Sequence, residues 1–183
     1  RRPEMRLGMV IDTRRCVGCM DCVVACQVEN KVPTGQRRDW VTTTETGKFP
    51  KVAIQIRSER CNQCDEPPCV PVCPVQASHV SDYGKLVLVH EDKCIKCGLC
   101  IPACPYNARF LNADTGVADK CTFCVHRLKQ GLAPACVAVC PTQAMAVGDF
   151  DDPASEVSRL IRANKTQVNK PEAGTKPRIH YIV

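Results

Sequence analysis

Residues 94–105 read Cys94-Ile95-Lys96-Cys97-Gly98-Leu99-Cys100-Ile101-Pro102-Ala103-Cys104-Pro105, a C-x2-C-x2-C-x3-C-P run. Three thiols spaced by two residues can wrap one face of a compact inorganic core, while the fourth leaves on the next turn and is aimed at a different centre. The proline after it removes a backbone donor and stops a helix at that point. Variants of this run occur four times and consume all sixteen cysteines of the 183-residue chain. Whatever those thiols hold, the rest of the fold has to be built around it.

The other runs depart from this one in small ways. In the first, Cys16, Cys19, Cys22 and Cys26, Gln27 stands in the place of the proline, so a helix there can run on past Cys26. In the second, Cys61, Cys64, Cys69 and Cys73, two extra residues and Pro67-Pro68 widen the middle loop. In the fourth, Cys121, Cys124, Cys136 and Cys140, the third cysteine is postponed by a basic loop from Val125 to Ala135. Cysteines clustered in threes two residues apart do not all find partners of good bridge geometry, which argues against a disulfide scaffold. Structural zinc sites are built from two separated pairs, whereas each run here offers three neighbouring ligands and one stray. The spacing therefore points to iron-sulfur cubanes, four of them, with the sixteen cysteines as iron ligands.

Closed thiolate ligation decides the class of function. An iron that performs chemistry on a substrate needs an open position, as a catalytic zinc does, and here every ligand position is supplied by the polypeptide. No nucleophile and base pair, phosphate-binding glycine loop or C-x3-C-x2-C motif is present, and His79, His90, His126 and His180 are scattered. The reading is electron transfer with no catalytic residue, the potentials being set by burial and by hydrogen bonds to sulfur.

Composition agrees. The chain is 44% apolar with cysteine counted and only 4% aromatic, which leaves about 35% without the cysteines, thin for a conventional core. Bound clusters would act as internal staples. The formal charge of +6 counts every cysteine as neutral. A cubane with four thiolates carries about −2, so four of them bring the loaded protein near −2. The basic excess then reads as counter-charge to clusters and not as a nucleic-acid footprint. No apolar run approaches the roughly 18 residues of a membrane span, and no secretory apolar region stands near the start. Arg1-Arg2 reads as a solvated pair at a frayed terminus.

Taken in order, Leu7 to Ile11 reads as a strand and Met20 to Glu29 as a helix with Val23, Val24 and Val28 on one side. Residues 27–60 form an insertion with a polar hairpin-like piece, Trp40 to Phe49, and a strand from Val52 to Arg57; the piece is a partner-facing element or a surface loop, and Trp40 is a packing residue. Ala77 to Ser81, the turn Asp82-Tyr83-Gly84 and Leu86 to Val89 read as a hairpin between the second and third runs. Thr142 to Phe150 repeats the pattern that follows the second run. Asp152-Pro153 opens a helix with Val157, Leu160 and Ile161 at helical spacing. Lys165 to Lys176 is polar and extended, and Ile179 to Val183 reads as a closing strand in a tail that straps the outside of the fold or a partner, or else stays a solvated arm.

Because the fourth cysteine of a run ligates its partner run's cluster, the hairpin pairs the second run with the third. That gives Cys61, Cys64, Cys69 with Cys104, and Cys73 with Cys94, Cys97, Cys100. Elimination then gives Cys16, Cys19, Cys22 with Cys140, and Cys26 with Cys121, Cys124, Cys136; sequential pairing of the first run with the second stays open on spacing alone. The expected fold is α+β, two bacterial-ferredoxin-like modules of short hairpins and short helices with long loops and a C-terminal strap. Residues 1–60 and 106–183 make the first module, with the insertion 27–60 and the tail 151–183, and residues 61–105 make the second.

The order of the runs and the phrases Cys69-Val70-Pro71-Val72-Cys73-Pro74-Val75-Gln76-Ala77, Ala103-Cys104-Pro105-Tyr106-Asn107-Ala108-Arg109-Phe110 and Asp119-Lys120-Cys121-Thr122-Phe123-Cys124-Val125-His126-Arg127 carry a resemblance. The chain resembles the four-cluster electron-transfer subunit of complex iron-sulfur molybdoenzymes, in particular those of polysulfide, thiosulfate, tetrathionate and respiratory arsenate reductases. The resemblance implies a molybdenum or tungsten bis-pterin catalytic subunit on one side and an integral quinone-binding membrane anchor on the other. It places the Cys16, Cys19, Cys22, Cys140 cluster nearest the catalytic subunit and the Cys73, Cys94, Cys97, Cys100 cluster nearest the membrane. It also implies the periplasmic side of the inner membrane, with the cytoplasmic face as the alternative. Nitrate reductase relatives replace the second ligand of the third run and hold a three-iron cluster; Cys97 is intact here, so four cubanes are expected. The short connection between Asn107 and Lys120 is more like the polysulfide, thiosulfate and tetrathionate types. A free soluble polyferredoxin is the competing reading, and a zinc-stabilised nucleic-acid binder, which would be colourless, is a third.

Overall fold

The computed structural model describes residues 5–183, and Arg1-Arg2 lies outside the described residues. Strand β1, Leu7–Asp12, is the spine of the fold. It lies between β8, Met145–Asp149, which runs antiparallel to it, and β10, Ile179–Ile182, which runs parallel; β9, Thr166–Gln167, completes the order β8-β1-β10-β9. Strand alternation divides the side chains of β1 between two faces. Leu7, Met9 and Ile11 enter a core shared with Cys22, Cys61, Cys64, Cys104, Cys121 and Cys136. Val10 points the other way, against Ala146, Ile182 and Val157 of helix α4, Glu156–Ala163. Cysteines thus make up much of the main core, in keeping with the thin apolar composition.

The strand from Leu7 and the hairpin between the second and third runs form as read. β4, Ser78–Val80, pairs antiparallel with β5, Val87–Val89. Gly84 in the connecting turn has φ +64 and faces the Leu7 side chain, so both its conformation and the lack of room for a Cβ require glycine. Helix α1, Asp21–Asn30, does run past Cys26 and is ended by Lys31 at φ 48. Its buried side chains are Cys22 and Cys26, while Val24 and Val28 are exposed. Val24 and Val28 therefore face outward, while Val23 packs against the core beside the sulfurs.

Residues 39–60 form one antiparallel ribbon, β2 (Asp39–Lys48) with β3 (Lys51–Arg60), paired along its whole length. Its tip is open, with Phe49 93% exposed, but its base buries Asp39, Ser58 and Arg60. The insertion is therefore a surface element at one end and part of the core at the other. Between the third and fourth runs a small hairpin of β6 (Phe110–Leu111) and β7 (Ala118–Asp119) occupies what reads in sequence as a plain connection. Two one-turn helices, α2 (Val125–Leu128) and α3 (Ala135–Ala138), bracket the basic loop.

Helix α4 begins three residues later than Asp152-Pro153 suggests. Asp152 instead closes a turn, its Oδ1 accepting from Ala154 N at 2.8 Å and its carbonyl from Ser155 N at 3.1 Å. The tail straps both halves of the chain from within. Asp65 N and Glu66 N donate to the Lys176 and Thr175 carbonyls at 3.0 and 3.1 Å, and β10 sits inside the sheet. Arg178, 1% exposed, donates to the Leu7 carbonyl at 3.0 Å, the Gly84 carbonyl at 2.9 Å and the carbonyls of Gln63 and Lys85. Among the described residues no helix is long and apolar enough to cross a membrane.

Candidate metal centres

Each run bends in the same way. The residue before its second cysteine lies in the left-handed region: Gly18 at φ 71, Gln63 at 47, Lys96 at 63 and Phe123 at 54. Non-glycine residues adopt this region at a cost and chiefly where function demands it. Alternation of right- and left-handed residues turns successive N–H groups into a concavity suited to an anionic centre. The three runs that end in Cys-Pro also share their exit. Gln76, Asn107 and Gln143 each donate to the carbonyl of the cysteine three residues earlier, at 3.2, 3.3 and 3.1 Å, and each has φ near 50. A buried alanine follows each of them, Ala77, Ala108 and Ala144. The sequence repeat is therefore a repeat of backbone conformation.

The folding of these loops brings sulfurs from different runs together. Cys73, Cys94, Cys97 and Cys100 line one cavity. Cys16, Cys19, Cys22 and Cys140 line a second, and Cys61, Cys64, Cys69 and Cys104 a third. The remaining four, Cys26, Cys121, Cys124 and Cys136, are buried as a group. Asn30 Nδ2 lies 3.6 Å from Cys26 Sγ and 3.8 Å from Cys124 Sγ, bridging sulfurs from the first and fourth runs.

These four cages fit a polynuclear core and not a single ion. Among the described residues no three Cys, His, Asp or Glu side chains stand close enough to hold one metal ion, whereas a zinc site requires four donors within roughly 2.3 Å of one point. All sixteen thiols are free. Burial pushes several far up, Cys26 and Cys64 to about 12 and Cys136 to about 11. At neutral pH these three thiols are therefore protonated, and metal binding must displace their protons. Cys73 is the contrary case: burial raises it, but the backbone N–H groups of Ser78, Val75 and Ala77 outweigh burial and lower it. Ser78 N lies 3.5 Å from Cys73 Sγ, five residues before it, and in the fourth run Ala144 N lies 3.3 Å from Cys140 Sγ, four residues before it.

The cages differ in access. Every sulfur of the Cys26 and Cys61 sets is buried, whereas Cys19 and Cys97 are exposed and Cys16, Cys140, Cys73 and Cys94 are half-buried. They also follow one another. Ser58 Oγ lies 3.3 Å from Cys22 Sγ and accepts from Arg60, whose Nη1 donates to Cys136 Sγ at 3.0 Å, joining the first cage to the second. Cys121 feels the charge of Cys61 in the third. Arg109 lines both the third and the fourth. The two open cages are therefore the ends of the series and the two closed ones its middle.

Arg60, Arg109, Lys120, Asn30 and Arg178 were not singled out by motif reading. Part of the signal was present, because a basic residue precedes the first cysteine of every run: Arg15, Arg60, Lys93 and Lys120. Arg15 and Lys93, beside the open cages, are exposed; Arg60 and Lys120, beside the closed ones, are buried.

Comparison with known proteins shows the family. Two families described as a 4Fe-4S dicluster domain match, one over residues 9–77 and the other over 52–150, and two such domains account for four clusters. The B component of tetrathionate reductase from Salmonella typhimurium is 44% identical over 98% of this chain and 73% of its own length. The B component of polysulfide reductase from Wolinella succinogenes is 41% identical over 97% of this chain and 94% of its own. The arsenate respiratory reductase iron-sulfur subunit ArrB of a Shewanella species is 39% identical over 97% and 96%. That last alignment extends over 226 positions, against 184 and 180 for the other two, so the arsenate relative carries insertions that this chain lacks.

Proposed function

Since this protein belongs to the 4Fe-4S dicluster family of reductase iron-sulfur subunits, we propose that it carries electrons between a membrane quinone-reactive subunit and a molybdopterin catalytic subunit. The catalytic subunit acts on a sulfur compound or an oxyanion, and holds molybdenum or tungsten. When bound, each 4Fe-4S cluster supplies a one-electron site with no open metal position. The proposed ligand sets are Cys16, Cys19, Cys22, Cys140; Cys26, Cys121, Cys124, Cys136; Cys61, Cys64, Cys69, Cys104; and Cys73, Cys94, Cys97, Cys100, three of which sets each line a common cavity. Residues 61–105 then form one ferredoxin-like module and the flanking segments the other.

The observation that carries this reading is the access pattern, two closed cages between two open ones. Each open cage is rimmed by exposed apolar side chains, Val17 and Met20 at one and Ile95 and Leu99 at the other. Paired apolar rims of this kind suit protein partners at both ends. By similarity the Cys16 cage faces the catalytic subunit and the Cys73 cage the membrane anchor, on the periplasmic side. Purification of the native complex tests this. Both partners should co-purify, and loss of either should abolish quinone-linked turnover. A stable, soluble monomer with full reversible reduction would instead be a free polyferredoxin.

Cys97→Ser probes the exposed end. The variant is expected to lose one four-iron signal, with a three-iron signal or none in its place, while turnover of the catalytic subunit with artificial donors is unchanged. An EPR spectrum with four intact four-iron clusters and no three-iron signal would contradict the assignment.

A further inference from the structure

Most buried arginines serve the backbone, and Arg178 shows how: it donates to four main-chain carbonyls. Arg109 does not behave in this way. It is 4% exposed, its Nη2 donates to Ser78 Oγ at 2.7 Å, and its Nε and Nη1 have no protein partner. It lines the cavity of Cys61, Cys64, Cys69 and Cys104 and also that of Cys73, Cys94, Cys97 and Cys100. It interacts electrostatically with Cys69 and Cys61 of one cage and with Cys100 of the other, to which it also donates a hydrogen bond. A guanidinium with unspent donors, buried between two sets of four thiols, is aimed at what those thiols hold.

The other two junctions carry cations as well. Arg60, 1% exposed, lies between the first two cages, donating to Cys136 Sγ and reaching Cys22 through Ser58, with Asp39 as its counter-ion at 3.1 Å. Lys120, also 1% exposed, donates to the carbonyl of Cys121 at 3.0 Å and to that of Val87, and its charge reaches Cys69. It stands between the second and third cages. Three successive junctions thus hold three buried cations.

The physical consequence follows from charge. Neighbouring thiolate-bound centres are each anionic, so an electron placed on one opposes an electron on the next, and in a low-dielectric interior that opposition is strong. A fixed cation between them stabilises the reduced form of both, and burial protects it from screening by salt. Charges and N–H donors near the sulfurs are among the recognised determinants of cluster potential.

We propose that Arg109, Arg60 and Lys120 are positioning residues that raise the reduction potentials of the two clusters each one separates, with Arg109, two of whose nitrogens have no protein partner, exerting the largest effect. The inference rests on the four-cluster assignment above. In the assembled complex, a potentiometric titration followed by EPR separates the four clusters. Arg109→Met is expected to shift the reduction equilibria of the Cys61-set and Cys73-set clusters at least tenfold toward the oxidised form, 59 mV for a one-electron couple. The other two clusters should keep their potentials, and Arg109→Lys should restore most of the shift. Should Arg109→Met fail to assemble, Arg109→Gln keeps an amide donor without the charge and carries the same expectation, and Lys120→Met carries it for the Cys26-set and Cys61-set pair. Wild-type potentials at all four clusters of any assembled charge-removing variant would overturn the proposal. Fewer than four titrating clusters in the wild-type complex would overturn the cluster assignment instead.

Discussion

Replacing Cys124 by alanine in the assembled complex is expected to remove one cluster from the middle of the series and to cut quinone-linked turnover by well over the ~10–100-fold that loss of a mere outer-shell partner costs at a metal site. Cys124 is buried, and its cage with Cys26, Cys121 and Cys136 lies between the Cys16 and Cys61 cages. Serine would keep an oxygen donor; alanine leaves three sulfurs and a void. On the proposed role, electrons entering at one end then lack the second carrier, while the catalytic subunit still accepts electrons from small artificial donors that bypass this chain. The iron content should fall by about four per chain. Undiminished quinone-linked turnover in a preparation that has lost those irons would show that this cage is not on the route.

Arg178→Met is expected to have the largest effect on stability. Its guanidinium gathers carbonyls from three segments distant in sequence, Leu7 of β1, Gly84 and Lys85 of the hairpin turn and Gln63 of the second run, and its Nε lies 3.2 Å from Asp65 Oδ1. Methionine has similar bulk and no donor, so the Leu7 and Gln63 carbonyls lose this donor inside the fold, and the Gly84 carbonyl keeps the Leu7 N–H at 3.0 Å. Loss of one member of such a buried network costs about 3–5 kcal/mol. At roughly 2–4 °C per kcal/mol for a chain of this size, Tm falls by about 6–20 °C. Bleaching of the cluster absorption on heating measures it. Arg178→Lys should recover only part, because one ammonium group cannot reach all four carbonyls. An unchanged Tm in Arg178→Met would mean that the tail is not tied down through this residue. The surface pair Arg6 and Asp151 at 2.9 Å is, by contrast, partly exposed and should contribute little.

What the sequence disclosed and what it withheld divide along a physical line. The strand at Leu7, the hairpin about Asp82-Tyr83-Gly84 and the helix continuing past Gln27 each have a local cause in alternation, turn chemistry or the absence of a proline. The spacing of a run is a local cause too, since it fixes which three thiols of that run converge. The place of β10 was not readable, since its parallel pairing with β1, Met9 opposite Ile179, joins segments with no local mark of one another. β6 and β7, two residues each, are too short to show a period. The Asp152-Pro153 signal was real but spent on a turn, because Asp152 already accepts from Ala154 and Ser155. Val24 and Val28 misled for the opposite reason: the inward face of that helix belongs to Cys22 and Cys26, so hydrophobic spacing alone pointed the wrong way. Arg60, Lys120 and Arg109 went unread because charged side chains belong outside unless something inside requires them, and on the proposal above the charge of the bound clusters is part of that requirement.

The account stands on one count, the iron bound to the anaerobically purified protein. Four cubanes in the four cages predict about sixteen irons per chain, with a matching amount of acid-labile sulfide and broad absorption near roughly 400 nm. A colourless protein, a content far below that figure, or zinc in place of iron would contradict it.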